Sequence, residues 1–261
     1  MTQDPSLSSM EQVAGMFSVD DYMYFYADYL NPEHNNQETA NIVQLLGMDR
    51  PMRVLDLACG FGRIANRLAV LGHDVTGIEY LPGFLEIARQ EAEQLRPALR
   101  HRGGKVVFEQ GDMRRIDYEN VFDRVLMVFN SFGYFTDAEN LDVLRRIARA
   151  LKPGGLLGFD IAHRDGLFNN FHPHYVTEKG DSLMINRFSF DVMTGRLVND
   201  RIIIRDGVRK DRPFSIRLYS VTEIRDLLAS VGLALEQLYE EWDGSPLRMD
   251  SPSMVVVARK E

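Results

Sequence analysis

The chain has 261 residues, of which 45% are hydrophobic and 26% charged, which suits one large globular domain or a domain with an insertion. The formal net charge of -8 disfavours a nucleic-acid partner, because such a surface repels phosphate backbones. The single cysteine, Cys59, excludes an internal disulfide and a multi-cysteine metal site, so we expect no bound metal.

The N-terminal sequence MTQDPSLSSMEQ lacks the basic start and the apolar stretch of a signal peptide. No later stretch approaches the ~18 apolar residues of a membrane span. We therefore expect a cytoplasmic protein without a membrane partner. The segment VDDYMYFYADYL that follows is crowded with aromatic residues. It is predicted to be helical, within an N-terminal cap formed by residues 1–45.

Residues 46–164 alternate short apolar runs with helical patterns. The predicted strands are, in chain order, RVLDLAC, DVTGIEY, KVVFEQGD, FDRVLMVFN and LLGFDIAH. The predicted helices are GRIANRLAVLG, PGFLEIARQEAEQL and DAENLDVLRRIARALKPGG. This alternation favours right-handed crossovers and a mostly parallel sheet covered on both faces, which is a doubly wound, Rossmann-like α/β fold.

The pattern changes after this core. Residues 165–220 contain three strand-like runs separated by turn signals, and they predict an inserted antiparallel β-meander that serves as a substrate lid, a dimer contact or both. Residues 221–261 contain the helical pattern VTEIRDLLASVG and two further strand-like runs, LALEQLYEEW and SMVVVARK. We expect this last part to complete the core as a strand pair at the edge of the sheet.

The loop after the first predicted strand contains Gly60 and Gly62, within VLDLACGFGRIANRLA. Glycines allow the backbone to turn sharply and to approach a ligand closely. The stretch GFGRIA fits the dinucleotide fingerprint G-x-G-x-x-G/A, so an NAD-dependent oxidoreductase is one interpretation. That interpretation also requires a substrate domain with a hydride-transfer site, and the sequence does not reveal one.

Three carboxylates lie at the ends of successive predicted strands: Asp56, Glu79 and Asp112. Glu79 could accept hydrogen bonds from ribose hydroxyls, which NAD and other adenosine-containing ligands carry. Asp56, beside the glycine loop, would repel a pyrophosphate but would attract an ammonium or a sulfonium. Asp112 could accept a hydrogen bond from the exocyclic amine of adenine. Together they predict a ligand with adenine, ribose and a cationic amino-acid end.

This arrangement resembles the class I S-adenosylmethionine-dependent methyltransferases, of the type that acts on small molecules. VLDLACGFG is similar to the first motif of that family, and GIEY, QGDM and LKPGG follow in the expected order. The resemblance implies S-adenosyl-L-methionine as the cofactor and a seven-stranded sheet with an antiparallel C-terminal strand. It assigns the cofactor site to Asp56, Ala58, Gly60, Gly62, Glu79, Tyr80, Asp112, Met113, Phe129 and Asn130. We add Tyr26, Cys59 and Arg63 to the predicted cofactor site.

Methyl transfer from a sulfonium is an in-line displacement, in which the protein mainly positions the nucleophile and excludes water. An amine or hydroxyl nucleophile can also need a base. Asp160 and His163 lie at the end of the fifth predicted strand, and Tyr134 follows the fourth. His163 is the first candidate for the base and Tyr134 is a second candidate catalytic residue. The alternative for His163 is a histidine hydrogen-bonded within a loop.

Three arginines of the predicted meander, Arg187, Arg201 and Arg217, are candidates for binding a carboxylate or phosphate of a substrate. Alternatively they face solvent, as alternating charges on antiparallel strands usually do.

The stretch FNSFGYF lacks the prolines of the family's amino-methylating DNA enzymes. We therefore expect methyl transfer to a nitrogen or oxygen atom of a small molecule, by a monomer or a homodimer. The alternatives are an NAD-dependent oxidoreductase and a non-catalytic S-adenosylmethionine-binding protein.

Overall fold

The computed structural model describes residues 15–169 and 171–261. Residues 1–14, the beginning of the predicted N-terminal cap, lie outside the described part, as does residue 170. Within the described part, none of the helices combines the length and the apolar character that a membrane span requires.

Strands and helices alternate through the first two thirds of the chain. The helices are α1 (Val19–Tyr26), α2 (Pro32–Leu45), α3 (Ala65–Val70), α4 (Pro82–Gln94), α5 (Arg96–Arg102), α6 (Asp137–Ala150), α7 (Arg164–Asn169) and α8 (Val221–Ala229). The strands are β1 (Arg53–Leu57), β2 (Asp74–Glu79), β3 (Lys105–Gln110), β4 (Phe122–Met127), β5 (Leu151–Ala162), β6 (His174–Lys179), β7 (Ser182–Asp191), β8 (Arg196–Asn199), β9 (Ile202–Arg205), β10 (Val208–Asp211), β11 (Phe214–Arg217), β12 (Leu233–Tyr239) and β13 (Ser253–Lys260).

The first sheet has seven strands in the order β12-β13-β5-β4-β1-β2-β3. The neighbours from β5 to β3 are parallel, whereas β13 runs antiparallel to both β5 and β12. The order reverses at β1 and β4, which is the point where doubly wound sheets bind ligands at the carboxyl ends of their strands. The structure therefore confirms the predicted Rossmann-like class and its antiparallel C-terminal strand.

Helices cover both faces of this sheet. Strand β1 carries apolar side chains on both of its faces, and each set packs against helices. Leu55 and Leu57 pack into one apolar cluster with α6 and α8, and Val54 packs into the other with α2, α3 and α4. Asp56 shares the face of Val54, since side chains alternate along a strand. The Asp56 carboxylate is therefore buried near the end of β1, just before the glycine loop.

The second sheet contains β6 to β11, and its strands are all antiparallel. β7 lies at its centre, with β8 on one side and β9 on the other. The predicted run GRLVNDRIIIRDG is therefore two strands rather than one, because the chain crosses from one side of β7 to the other at Asp200 and Arg201.

Two connections place the second sheet and α1 over the carboxyl ends of the first sheet. The Arg217 amide donates to the Gly133 carbonyl at 2.9 Å, which ties β11 to the loop after β4. Asp21 of α1 is buried and pairs with Arg205 at 3.3 Å and with Lys210 at 2.9 Å, both from the second sheet. The space between the two sheets and α1 is the candidate site.

Candidate active site

A cavity of about 530 Å³ lies at the carboxyl ends of β1, β2, β4 and β5, within the size range of small-molecule sites. Its walls come from the glycine loop, the strand ends, α1 and the second sheet. Most residues predicted for the cofactor line it: Tyr26, Asp56, Ala58, Cys59, Gly60, Arg63, Glu79, Tyr80, Met113, Phe129 and Asn130.

Glu79 holds the glycine loop against the end of β2. Its Oε2 accepts a hydrogen bond from the Gly60 amide at 3.1 Å, and its Oε1 accepts one from the Leu81 amide at 2.8 Å. Burial raises the pKa of Glu79, and these backbone donors oppose the shift. Gly60 has φ +53°, and a Cβ built on it would meet nothing within 4 Å. The loop backbone therefore presents open space to a ligand.

Asp56 is 3% exposed, and burial raises its pKa to about 7, against the opposing charge of Arg63. Arg63 is buried as well, forms an ion pair with Glu38 and lies 5.4 Å above the Phe129 ring. Its Nη2 atom is buried without a hydrogen-bond partner among the described residues. The cavity thus contains a carboxylate that favours cations and a guanidinium nitrogen that can still donate.

Asp160, at the end of β5, anchors the loop after β4. It accepts hydrogen bonds from the Phe129 amide at 2.7 Å, from the Asn130 amide at 2.8 Å and from Trp242 Nε1 at 3.2 Å. Phe129 and Asn130 have φ +70° and +57°, which side-chain-bearing residues adopt only when the surroundings hold them there. Burial raises the pKa of Asp160 to about 6, opposed by the two backbone donors.

Aromatic side chains of α1 cover the glycine-loop side of the cavity. The Tyr22 ring lies 4.8 Å from the Tyr26 ring and 5.2 Å from the Phe84 ring, and Tyr26 lies 5.9 Å from Phe129. Tyr134 also lines the cavity, and burial raises its pKa to about 12. These rings separate the strand ends from solvent.

Gly62, predicted as a cofactor residue, does not line the cavity. A Cβ at this position would lie 2.8 Å from Ala88 Cβ and 2.9 Å from Phe108 Cζ, and φ is +77°. Gly62 therefore allows the loop to pack against α4 and β3.

Asp112 and His163 are also placed outside the cavity wall. The Asp112 carboxylate pairs with Arg114 at 2.8 Å and caps the Arg114 amide at 2.9 Å, so it is engaged within its own turn. His163 is 4% exposed, and its Nδ1 lies 3.0 Å from the Ser251 carbonyl oxygen. Its geometry matches the loop histidine considered as the alternative, and it gives no support to a role as the base.

The three arginines of the second sheet have different surroundings. Arg187 is exposed, and Arg217 pairs with Glu223 at 2.7 Å in a separate surface depression. Arg201 lines the cavity.

Several cavity residues were not predicted from the sequence: Phe17, Glu38, Phe61, Phe84, Phe188, Leu197, Phe214, Ile216, Glu241, Trp242 and Ser253. Phe61 lies within the glycine loop itself. The others come from segments whose placement depends on tertiary packing, and no local motif marks them.

Comparison with known proteins agrees with this geometry. A family model described as a methyltransferase domain matches residues 54–155. "Putative methyltransferase YqeM" of Bacillus subtilis (strain 168) is 26% identical over 224 residues, which cover 80% of this chain and 84% of the relative. The dTDP-4-amino-2,3,4,6-tetradeoxy-D-glucose N,N-dimethyltransferase of Saccharopolyspora spinosa is 27% identical over 212 residues, or 77% and 80% of the two chains.

Among solved structures, the CcbJ methyltransferase from Streptomyces caelestis has a TM-score of 0.74 and 22% identity, and the match covers 87% of this chain and 89% of that one. At this identity the likeness concerns the fold. The matched domain contains the glycine loop, Glu79 and the carboxyl ends of β1, β2 and β4. Residues 54–155 thus match the methyltransferase-domain family, and the relatives and the solved structure that the chain resembles are named as methyltransferases.

Proposed function

We propose that the chain transfers a methyl group from S-adenosyl-L-methionine to a nitrogen or oxygen atom of a small molecule, by in-line displacement. The cavity carries this proposal, because it joins the carboxylate-bearing strand ends of the first sheet to an aromatic and apolar wall of the second. The similarity to a sugar N,N-dimethyltransferase over 77% of the chain supports a small-molecule amine as the acceptor.

The residues of the cavity fit this cofactor in charge and shape. Asp56 would attract the cationic methionine end, and the unpartnered Nη2 of Arg63 would donate to its carboxylate. Glu79 would accept from the ribose hydroxyls, beside the open backbone of Gly60. Met113 would contact the adenine, together with Tyr80. The adenine contact predicted for Asp112 stays a prediction, since Arg114 already engages that carboxylate.

The bound cofactor supplies an electrophilic methyl group. The protein's part is to exclude water, through Tyr22 and Tyr26, and to hold the acceptor on the second-sheet side of the cavity. Tyr134, with a pKa of about 12, keeps its proton at neutral pH and would donate a hydrogen bond rather than act as a base. A neutral amine needs no base before attack, so an amine acceptor suits Tyr134 better than an alcohol does.

Calorimetric titration with S-adenosylhomocysteine, the demethylated product, and with NAD tests the proposal. We expect saturable binding of the former only, followed by methyl transfer from labelled S-adenosylmethionine to members of an amine panel but not to the matched alcohols. Saturation by NAD alone would contradict the proposal. Cofactor binding without transfer to any acceptor of a broad panel would instead favour a non-catalytic binding protein.

The pKa of Asp56 predicts how affinity depends on pH. A cation favours the ionised carboxylate, so binding pulls the pKa of about 7 downward, and affinity rises as pH increases to about 7 and then levels off. Below pH 7 we expect S-adenosylhomocysteine affinity to fall by up to ~10-fold per pH unit, the limit for one linked proton. Titrations between pH 5.5 and ~7.5 measure this. Asp56→Asn should bind more weakly and show a flatter profile; an equally steep profile would assign the dependence to another group.

The cytoplasmic location, the lack of a nucleic-acid partner and the homodimer remain predictions.

A further inference from the structure

We propose that the acceptor carries an anionic group, a phosphate or a carboxylate, and that Arg201 binds this group inside the cavity. The inference rests on the proposed function and narrows its class of small molecule. Arg201 lies between β8 and β9, where the chain crosses from one side of β7 to the other, and its half-buried side chain lines the cavity.

The Arg201 guanidinium is fixed by its neighbours before any ligand arrives. Its Nε donates to Asn186 Oδ1 at 2.8 Å, and Asn199 Nδ2 donates to the same oxygen at 2.8 Å. Both asparagines are buried. The guanidinium carbon lies 4.8 Å from the centroid of the Phe214 ring, so the group stacks on a flat apolar surface. A cation held in this way loses little conformational freedom when it binds an anion.

Arg201 also lacks a counter-charge within the part of the chain that the structure describes. No aspartate or glutamate there lies within ion-pair distance of it, whereas Arg63, in the same cavity, is paired with Glu38. A partly buried guanidinium without an acidic partner favours a ligand that brings one. Its planar shape suits two-point binding of a phosphate or carboxylate.

Three carboxylates of the cavity and Arg201 lie on opposite walls. Asp56, Glu79 and Asp160 lie at the strand ends of the first sheet, while Arg201 belongs to the second sheet. The carboxylate side suits a cationic sulfonium, and Arg63 on that side is already paired with Glu38. The Arg201 side accepts the anion, so the two substrates are drawn to different ends of one cavity.

Calorimetry on protein saturated with S-adenosylhomocysteine tests this assignment. The probes are inorganic pyrophosphate and thymidine diphosphate for the phosphate class, and succinate for the carboxylate class. We expect saturable binding of one class to the wild-type protein and at least ~10-fold weaker binding to Arg201→Gln, the loss that ~1.4 kcal/mol produces. Arg201→Lys keeps the positive charge but not the planar guanidinium, and it should bind the anionic probe with intermediate affinity.

The matched control is Arg187→Gln, which removes an exposed arginine from the same sheet and should bind the probe as the wild type does. Retained S-adenosylhomocysteine affinity shows that each variant is folded; if Arg201→Gln fails this check, the comparison uses Arg201→Lys. Saturation by none of the three probes, or equal affinity in the wild type and the Arg201 variants, would overturn the inference. Failure of the wild type to bind S-adenosylhomocysteine would instead overturn the proposed function.

Discussion

Replacing Glu79 with alanine is expected to weaken S-adenosylhomocysteine binding by ~30-fold or more. A hydrogen bond to a charged group contributes ~1.5–3 kcal/mol, and this substitution removes the proposed ribose contact. It also removes the acceptors of the Gly60 and Leu81 amides, which hold the glycine loop in place. Calorimetric titration of the purified variant measures the effect directly.

Two further variants test whether the effect comes from the Glu79 carboxylate itself. Glu79→Gln fills the same space, but its NH2 group would oppose one of the two backbone donors, so most of the loss should remain. Glu86→Ala removes an exposed glutamate from α4, close along the chain, and should bind as the wild type does. If Glu79→Ala retained wild-type affinity, the assignment of Glu79 to the cofactor would be wrong.

Replacing Asp160 with alanine is expected to lower stability and turnover together. It leaves the Phe129 and Asn130 amides and the Trp242 indole without their acceptor at a partly buried position beside the cavity. Unsatisfied buried donors cost ~1–3 kcal/mol each, but the two amides are only half-buried, so we expect a total of about 1–3 kcal/mol, which corresponds to a melting temperature lowered by roughly 2–12 °C. Calorimetric melting curves measure this loss.

Turnover should decrease more than stability alone requires, because the left-handed conformation of Phe129 and Asn130 is no longer held beside the reacting groups. Methyl transfer should therefore be at least ~10-fold slower at a temperature where the variant is fully folded, equivalent to ~1.4 kcal/mol of barrier. Asp181→Ala, at an exposed position before β7, is the control and should change neither quantity. An Asp160→Ala protein with unchanged melting temperature and rate would show that the loop is held by other contacts.

The first sheet could be predicted well because the sequence patterns that mark its strands and helices are local. Apolar runs, helix periodicity and glycine turns lie within short windows, and Gly60, Asp56 and Glu79 belong to such windows. The second sheet was predicted less completely. β10 lies within a stretch interpreted as a turn, DGVRKD, and β6 was not predicted, since their exposed and charged residues lack clear alternation.

The placement of Asp112 and His163 outside the cavity wall was not foreseen from the sequence, and it has a physical cause as well. Asp112 has the position expected of an adenine-binding acid, but Arg114 two residues later engages it, and no spacing rule foretells that pair. His163 follows a strand end as predicted, yet the carbonyl it contacts comes from Ser251, which is far along the chain. Trp242 and Glu38 enter the cavity for similar reasons. Contacts between distant segments decide these positions.

The cavity is formed by two sheets, and the methyltransferase-domain family model matches strands of the first sheet only. The family model matches residues 54–155, while the strands of the second sheet, from His174 to Arg217, fall outside the match. The two walls of the cavity thus come from different segments of the chain, and a change in the second sheet leaves the glycine loop and the ends of β1, β2 and β4 in place. Proteins with this architecture could acquire new acceptors through changes in the inserted sheet, while the wall proposed to bind the cofactor is retained.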